Sequence, residues 1–135
     1  METGGFKGRR REVSPDEFYP QFEERLGLTR KQIVSEYGMC ELSSQFYTHP
    51  SSPISHRLFY GPAWVRVIVV DPETGREARD GERGLIRIFD LANVGSVLAI
   101  QTEDVGVRRG DGFELLGRAP MAEARGCSLM LAGGG

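Results

Sequence analysis

Residues 61–120 limit the possible folds most, because one strand pattern follows another there with turn chemistry between. Trp64-Val-Arg-Val-Ile-Val-Val70 runs into Asp71-Pro-Glu-Thr-Gly75, which has Pro and Gly where a hairpin needs them. Gly84-Leu-Ile-Arg-Ile-Phe89 supplies a returning strand. Val94 to Gln101 is a further apolar run, expected to be buried on both sides or paired in a sheet. Val105-Gly-Val-Arg108 and Phe113-Glu-Leu-Leu116 flank Arg109-Gly-Asp-Gly112, a glycine-rich hairpin loop. Eighteen glycines fit a chain of many turns rather than long helices.

The N-terminal part reads differently. Ser14-Pro-Asp-Glu17 starts a helix, with Ser as N-cap, Pro at the first helical position and acids in the first turn. Phe18, Phe22 and Leu26 follow at helical spacing as one apolar stripe expected to face a core, and Gly27 closes the helix. Next comes Ile33-Val-Ser-Glu-Tyr-Gly-Met-Cys-Glu-Leu-Ser-Ser-Gln-Phe-Tyr47, a short strand halted at Gly38. Its turn brings together a ring (Tyr37), free backbone (Gly38), Met39, Cys40 and a carboxylate (Glu41). Loops at strand ends are where α/β proteins keep ligand chemistry. The set suits a nucleotide: a ring for a base, N–H groups for phosphate oxygens and a carboxylate for Mg²⁺. The expected class is α/β (mixed α+β), an αβ segment over residues 1–60 followed by a β-rich subdomain over 61–135.

Composition narrows the function classes. A chain of 135 residues is long enough for one domain with a core, and 39% hydrophobic with 27% charged is ordinary for a globular protein. A formal net charge of −2 supplies no field for nucleic acid, although Lys7-Gly-Arg-Arg-Arg11 is locally basic and reads as a solvated face or anion contact. No stretch approaches the ~20 apolar residues of a membrane span, and the N-terminus lacks a signal-peptide core, so a cytoplasmic protein is expected. Cys40 and Cys127 form no metal-ligand pair and read as free thiols. His49 and His56 lie in a Pro- and Ser-rich stretch and read as loop histidines.

Tyr37-Gly38-Met39-Cys40-Glu41 resembles the Tyr-Gly-x-Thr-Glu motif of the adenylate-forming superfamily. Thr102-Glu-Asp-Val-Gly-Val107 and Phe113-Glu-Leu-Leu-Gly-Arg-Ala-Pro120 resemble that superfamily's next two motifs, in order. With Glu2-Thr-Gly-Gly-Phe-Lys-Gly8 and Ala124-Arg-Gly-Cys-Ser-Leu129, the chain looks like the fatty-acyl-protein synthetase branch known from bacterial bioluminescence. The resemblance implies the C-terminal part of the large adenylate-forming domain, using ATP and Mg²⁺ to activate a fatty carboxylate as acyl-adenylate. It places Tyr37 against adenine, Glu41 on Mg²⁺, Asp104 on the ribose hydroxyls and Arg118 on the ribose and phosphate side. Gly38, Met39 and Cys40 complete the implied nucleotide-binding set, with Cys40 at the position that reaches a phosphate. The family's Thr is Cys40 here, and a thiol is a weaker donor than a hydroxyl. Cys127 is the implied acyl-acceptor thiol, with Arg125 near it to lower its pKa, before transfer to a partner such as a fatty-acid reductase. Taken alone, Tyr37 also reads as core, Asp104 as a turn residue, Arg118 as a surface charge and Cys127 as a small buried residue.

Nothing here matches the family's upstream phosphate-binding loop, and no lysine follows Arg118. The expectation is an incomplete enzyme that needs a missing N-terminal half and exposes apolar surface on its own. Other readings are a phenylacetate-type acyl-CoA ligase, which hands the acyl group to coenzyme A, and a non-catalytic remnant acting as a subunit-contact module.

Overall fold

The computed structural model describes residues 1–3, 15–49 and 57–119. The elements run β1 (Glu2–Thr3), α1 (Pro15–Leu26), a 3₁₀ turn (Arg30–Gln32), β2 (Ser35–Tyr37), β3 (Phe46–Thr48), β4 (Leu58–Tyr60), β5 (Val65–Val70), β6 (Arg83–Asp90), β7 (Ala99–Arg109) and β8 (Gly112–Arg118). Among the described residues, the strands form one eight-stranded sheet in the order β1-β2-β3-β4-β8-β7-β6-β5. The β1–β2 pair is parallel, and every other neighbouring pair is antiparallel. The mixed α/β class expected from sequence is the observed one. β4 pairs with β8, so the sheet runs across the boundary drawn at residue 60.

Local chemistry accounts for the long strands. β5 and β6 pair from Val65↔Asp90 to Val70↔Leu85, and Gly75 takes a left-handed φ of 68° in the turn after β5. β7 and β8 pair Arg109 with Gly112 across two residues, with Gly110 at a φ of 60°. In β7, a Cβ at Gly106 would stand 2.7 Å from the Glu114 carbonyl oxygen and 2.8 Å from Ile86 Cδ1, so only glycine lets these strands approach.

Two expectations are corrected. The Phe18, Phe22 and Leu26 stripe is not a core face: Leu26 is 63% exposed, and Phe18 and Phe22 are half-buried against each other with ring centres 5.0 Å apart. The buried ring of α1 is Tyr19, flanked by the guanidinium groups of Arg30 at 4.6 Å and Arg57 at 5.0 Å. Leu26 falls in the last turn before Gly27, whose N–H bonds the Glu23 carbonyl at a φ of 65°, so the helix ends before that side chain meets a partner. The second correction concerns Val94 to Gln101. Only Ala99 onward is strand, and Val94 is 90% exposed. The Asp90 N–H bonds the Leu98 carbonyl at 2.9 Å, which closes 91–97 as a loop between β6 and β7 and turns its apolar side chains outward.

The core is aromatic and aliphatic: Tyr37, Leu42, Phe46, Phe59, Ile86, Ile88 and Phe113, with Met39 and Leu115 packed against it. Phe113 on β8 lies 5.3 Å from Phe46, 5.7 Å from Phe59 and 5.6 Å from Tyr37, between ring centres. β2 and β7 are four places apart in the sheet, roughly 19 Å if the sheet were flat. A direct Tyr37–Asp104 hydrogen bond therefore requires the sheet to curl around this cluster.

Candidate functional site

That bond is the centre of the site. Tyr37 ends β2, where burial alternates buried, half-buried, buried, so its ring turns inward among the phenylalanines. Its hydroxyl donates to Asp104 Oδ2 at 2.7 Å. The other carboxylate oxygen, Oδ1, accepts from Arg118 Nε at 3.1 Å, and Arg118 faces Asp104 from the end of β8. The Asp104 backbone is set by Thr102, whose hydroxyl donates to the Ile86 carbonyl at 2.8 Å and accepts the Asp104 N–H at 3.1 Å. Three residues named from sequence thus meet, from positions 37, 104 and 118.

The electrostatics suit an acceptor site. Burial, and secondarily the adjoining Asp104 charge, pushes the Tyr37 phenol well above its ordinary range, so it stays a proton donor. Each Asp104 oxygen spends one acceptor position on Tyr37 or Arg118 and keeps another. Two parallel acceptors match a pair of neighbouring hydroxyl groups. Only 8% of Tyr37 is exposed, so little of its ring remains open to a base.

Glu41 and Cys40 stand apart from this trio on the turn after β2, both exposed, with the Cys40 thiol donating to Glu41 Oε2 at 3.3 Å. Met39 and Leu42 face the aromatic core on either side of them. Gly38 is exposed beside Gln45. No group of three or more His, Cys, Asp or Glu side chains converges as a metal site among the described residues. A single exposed carboxylate still fits Mg²⁺, which is held by one or two carboxylates together with substrate phosphates. Cys127, Arg125, His56, Ser14 and the 7–11 basic run lie outside the described residues.

Sequence reasoning missed a second polar cluster. Asp90, at the end of β6, is wholly buried and accepts the Ser43 N–H at 3.1 Å, the Ser44 N–H at 2.9 Å, the Ser44 hydroxyl at 2.9 Å and the Ala92 N–H at 3.0 Å. Asn93 donates to the Glu41 carbonyl at 2.9 Å and the Val97 carbonyl at 2.8 Å, and accepts the Ser43 hydroxyl at 3.1 Å. The Trp64 indole N–H reaches Ser44 Oγ at 3.0 Å. One signal was legible: Ile86, Ile88 and Asp90 share a strand face, which puts a carboxylate where the period calls for an apolar residue.

No family model matches the chain. It is 31% identical over 110 residues to the long-chain-fatty-acid–luciferin-component ligase of Aliivibrio fischeri, a match covering 75% of this chain and 28% of that protein. Among solved structures, apo MatB from Rhodopseudomonas palustris superposes with a TM-score of 0.60 at 18% identity, over 87% of this chain and 25% of MatB. The luciferase-like enzyme of the nonluminescent Zophobas morio mealworm gives 0.57 at 15% identity, over 82% of this chain and 30% of its own. The structural likenesses establish a shared fold. The chain spans under a third of the length of each of these proteins.

Proposed function

We propose, from its similarity to a long-chain-fatty-acid–luciferin-component ligase, that this chain is the nucleotide-handling part of an ATP-dependent acyl-protein synthetase that activates a fatty carboxylate as acyl-adenylate. The observation that carries this reading is the Asp104 carboxylate, oriented by Tyr37 and Arg118 with two acceptor positions left.

In this reading Asp104 accepts the two ribose hydroxyls, a charge-assisted pair of hydrogen bonds that fixes the nucleotide about its sugar. Arg118, half-exposed beside it, faces the ribose and phosphate side. Tyr37 borders the base, and the Gly38–Cys40 backbone runs along the phosphates. Glu41 holds Mg²⁺, which when bound offsets phosphate charge. A MatB structure with ATP bound shares this fold at a TM-score of 0.54, in keeping with ATP as the nucleotide.

The chemistry begins when a substrate carboxylate oxygen attacks the α-phosphorus. That P–O bond forms as the bond to pyrophosphate breaks, leaving acyl-AMP and pyrophosphate. Two anions must approach, so fixed donors and positive charge carry the step. The Cys127 thiolate then attacks the acyl carbonyl and AMP leaves, giving a thioester for transfer to an acceptor protein such as a fatty-acid reductase. Residues 1–60 carry the Tyr37–Glu41 motif and 61–135 the ribose-side residues. The rest of the active site is assigned to the part of the relatives' length that this chain does not span.

Calorimetric titration with ATP and Mg²⁺, with Asp104→Ala alongside, tests the reading. Loss of two charge-assisted bonds weakens binding at least about tenfold. Equal affinity in the two proteins refutes the assignment of Asp104.

A further inference from the structure

We propose that Asp90 and Asn93 are positioning residues for Glu41, clamping the turn that carries its carboxylate so that it is held ready for a Mg²⁺–nucleotide phosphate. This rests on the reading of Glu41 given above. Asp90 lies 47 residues from Ser43 in the chain, yet it takes that residue's N–H and both donors of Ser44. A buried carboxylate is costly unless it is met by donors. Here all four partners are N–H or O–H groups, and three of them come from the segment just after Glu41.

Asn93 adds the closing contact, because its Nδ2 holds the Glu41 carbonyl itself. The same amide group also binds Val97, so the loop between β6 and β7 is tied to the turn after β2. On the other side, Leu42 is sunk in the core and its N–H bonds the Met39 carbonyl at 3.2 Å. The backbone on both sides of Glu41 is therefore held, and the residue itself is exposed. Groups that orient a metal-binding carboxylate this way set affinity without touching the ion.

The test is ATP binding to the 135-residue chain with and without Mg²⁺, the ratio giving the Mg²⁺ enhancement, with thermal unfolding of every variant. Glu41→Gln removes the enhancement. Asp90→Asn and Asn93→Ala reduce it about tenfold, a larger loss than either causes in Mg²⁺-free ATP affinity. Val69→Ala, buried on β5 away from the turn, lowers stability and keeps the enhancement. If the clamp variants behave like Val69→Ala while Glu41→Gln loses the enhancement, the assignment of Glu41 stands and the positioning role falls. If Glu41→Gln keeps the enhancement, or the parent chain binds no ATP, the reading of Glu41 fails and the clamp proposal fails with it. Should Asp90→Asn not fold, Asn93→Ala decides alone.

Discussion

Tyr37 does two things with one side chain: its ring fills the interior, and its hydroxyl holds Asp104. Its raised pKa has a consequence for stability against pH. In the unfolded chain a phenol ionises near pH 10, whereas the folded chain retains the proton. Above that pH the folded state binds more protons than the unfolded one, so stability falls as pH rises. The contribution is fully present below about pH 10 and drains away through the raised value. Denaturant unfolding from pH 8 to pH 11 is expected to show a steeper loss in the parent chain than in Tyr37→Phe. Near neutrality the Phe variant is less stable by about 1–3 kcal/mol, because a buried carboxylate loses a donor. Parallel pH curves for the two proteins would mean that the hydroxyl is not held as described.

Among the elements, β6 and the loop after it separate two kinds of apolar residue that look alike in sequence. Ile88 is wholly buried in the sheet, whereas Val94 projects from the connection that Asp90 and Asn93 close. Ile88→Ala should cost about 2–5 kcal/mol, the usual range for emptying a core position. Val94→Ser should fall within about 0.5 kcal/mol of the parent chain. Urea midpoints for the pair check this directly, and a large loss at Val94 would restore the buried run expected from sequence. The error there has a physical cause: the valines and leucine around 94–98 have strand-forming side chains, but backbone bonds at Asp90 and Asn93 shape the segment as a loop.

At the scale of the whole molecule, a curled sheet with an aromatic interior is what makes the site possible. Phe113 touches Tyr37, Phe46 and Phe59, rings from three other strands. Phe113→Ala should cost about 3–5 kcal/mol and weaken ATP binding together with it, because the ring that backs Tyr37 is lost. Full affinity for ATP in a folded Phe113→Ala chain would show that Tyr37 and Asp104 keep their geometry without the shared interior.

By itself the sequence determined the β5 and β6 strands with the turn between them, the Gly110 hairpin turn that joins the next two strands, and the β2 strand that stops at Gly38. Those features are local: side-chain alternation, Gly and Pro conformations and turn chemistry act over a few residues, so they can be read along the chain. It also marked Tyr37, Glu41, Asp104 and Arg118, through motifs that recur in a known family. Only the tertiary structure decided which of them meet, since the Tyr37–Asp104 bond spans 67 residues and depends on the curl of a whole sheet. The Asp90 clamp, the burial of Tyr19 in place of Leu26, and the outward turn of Val94 were decided there as well. In each case the outcome rests on partners distant in the chain, and alternation along a strand or helix says which face a side chain takes but not what waits on it.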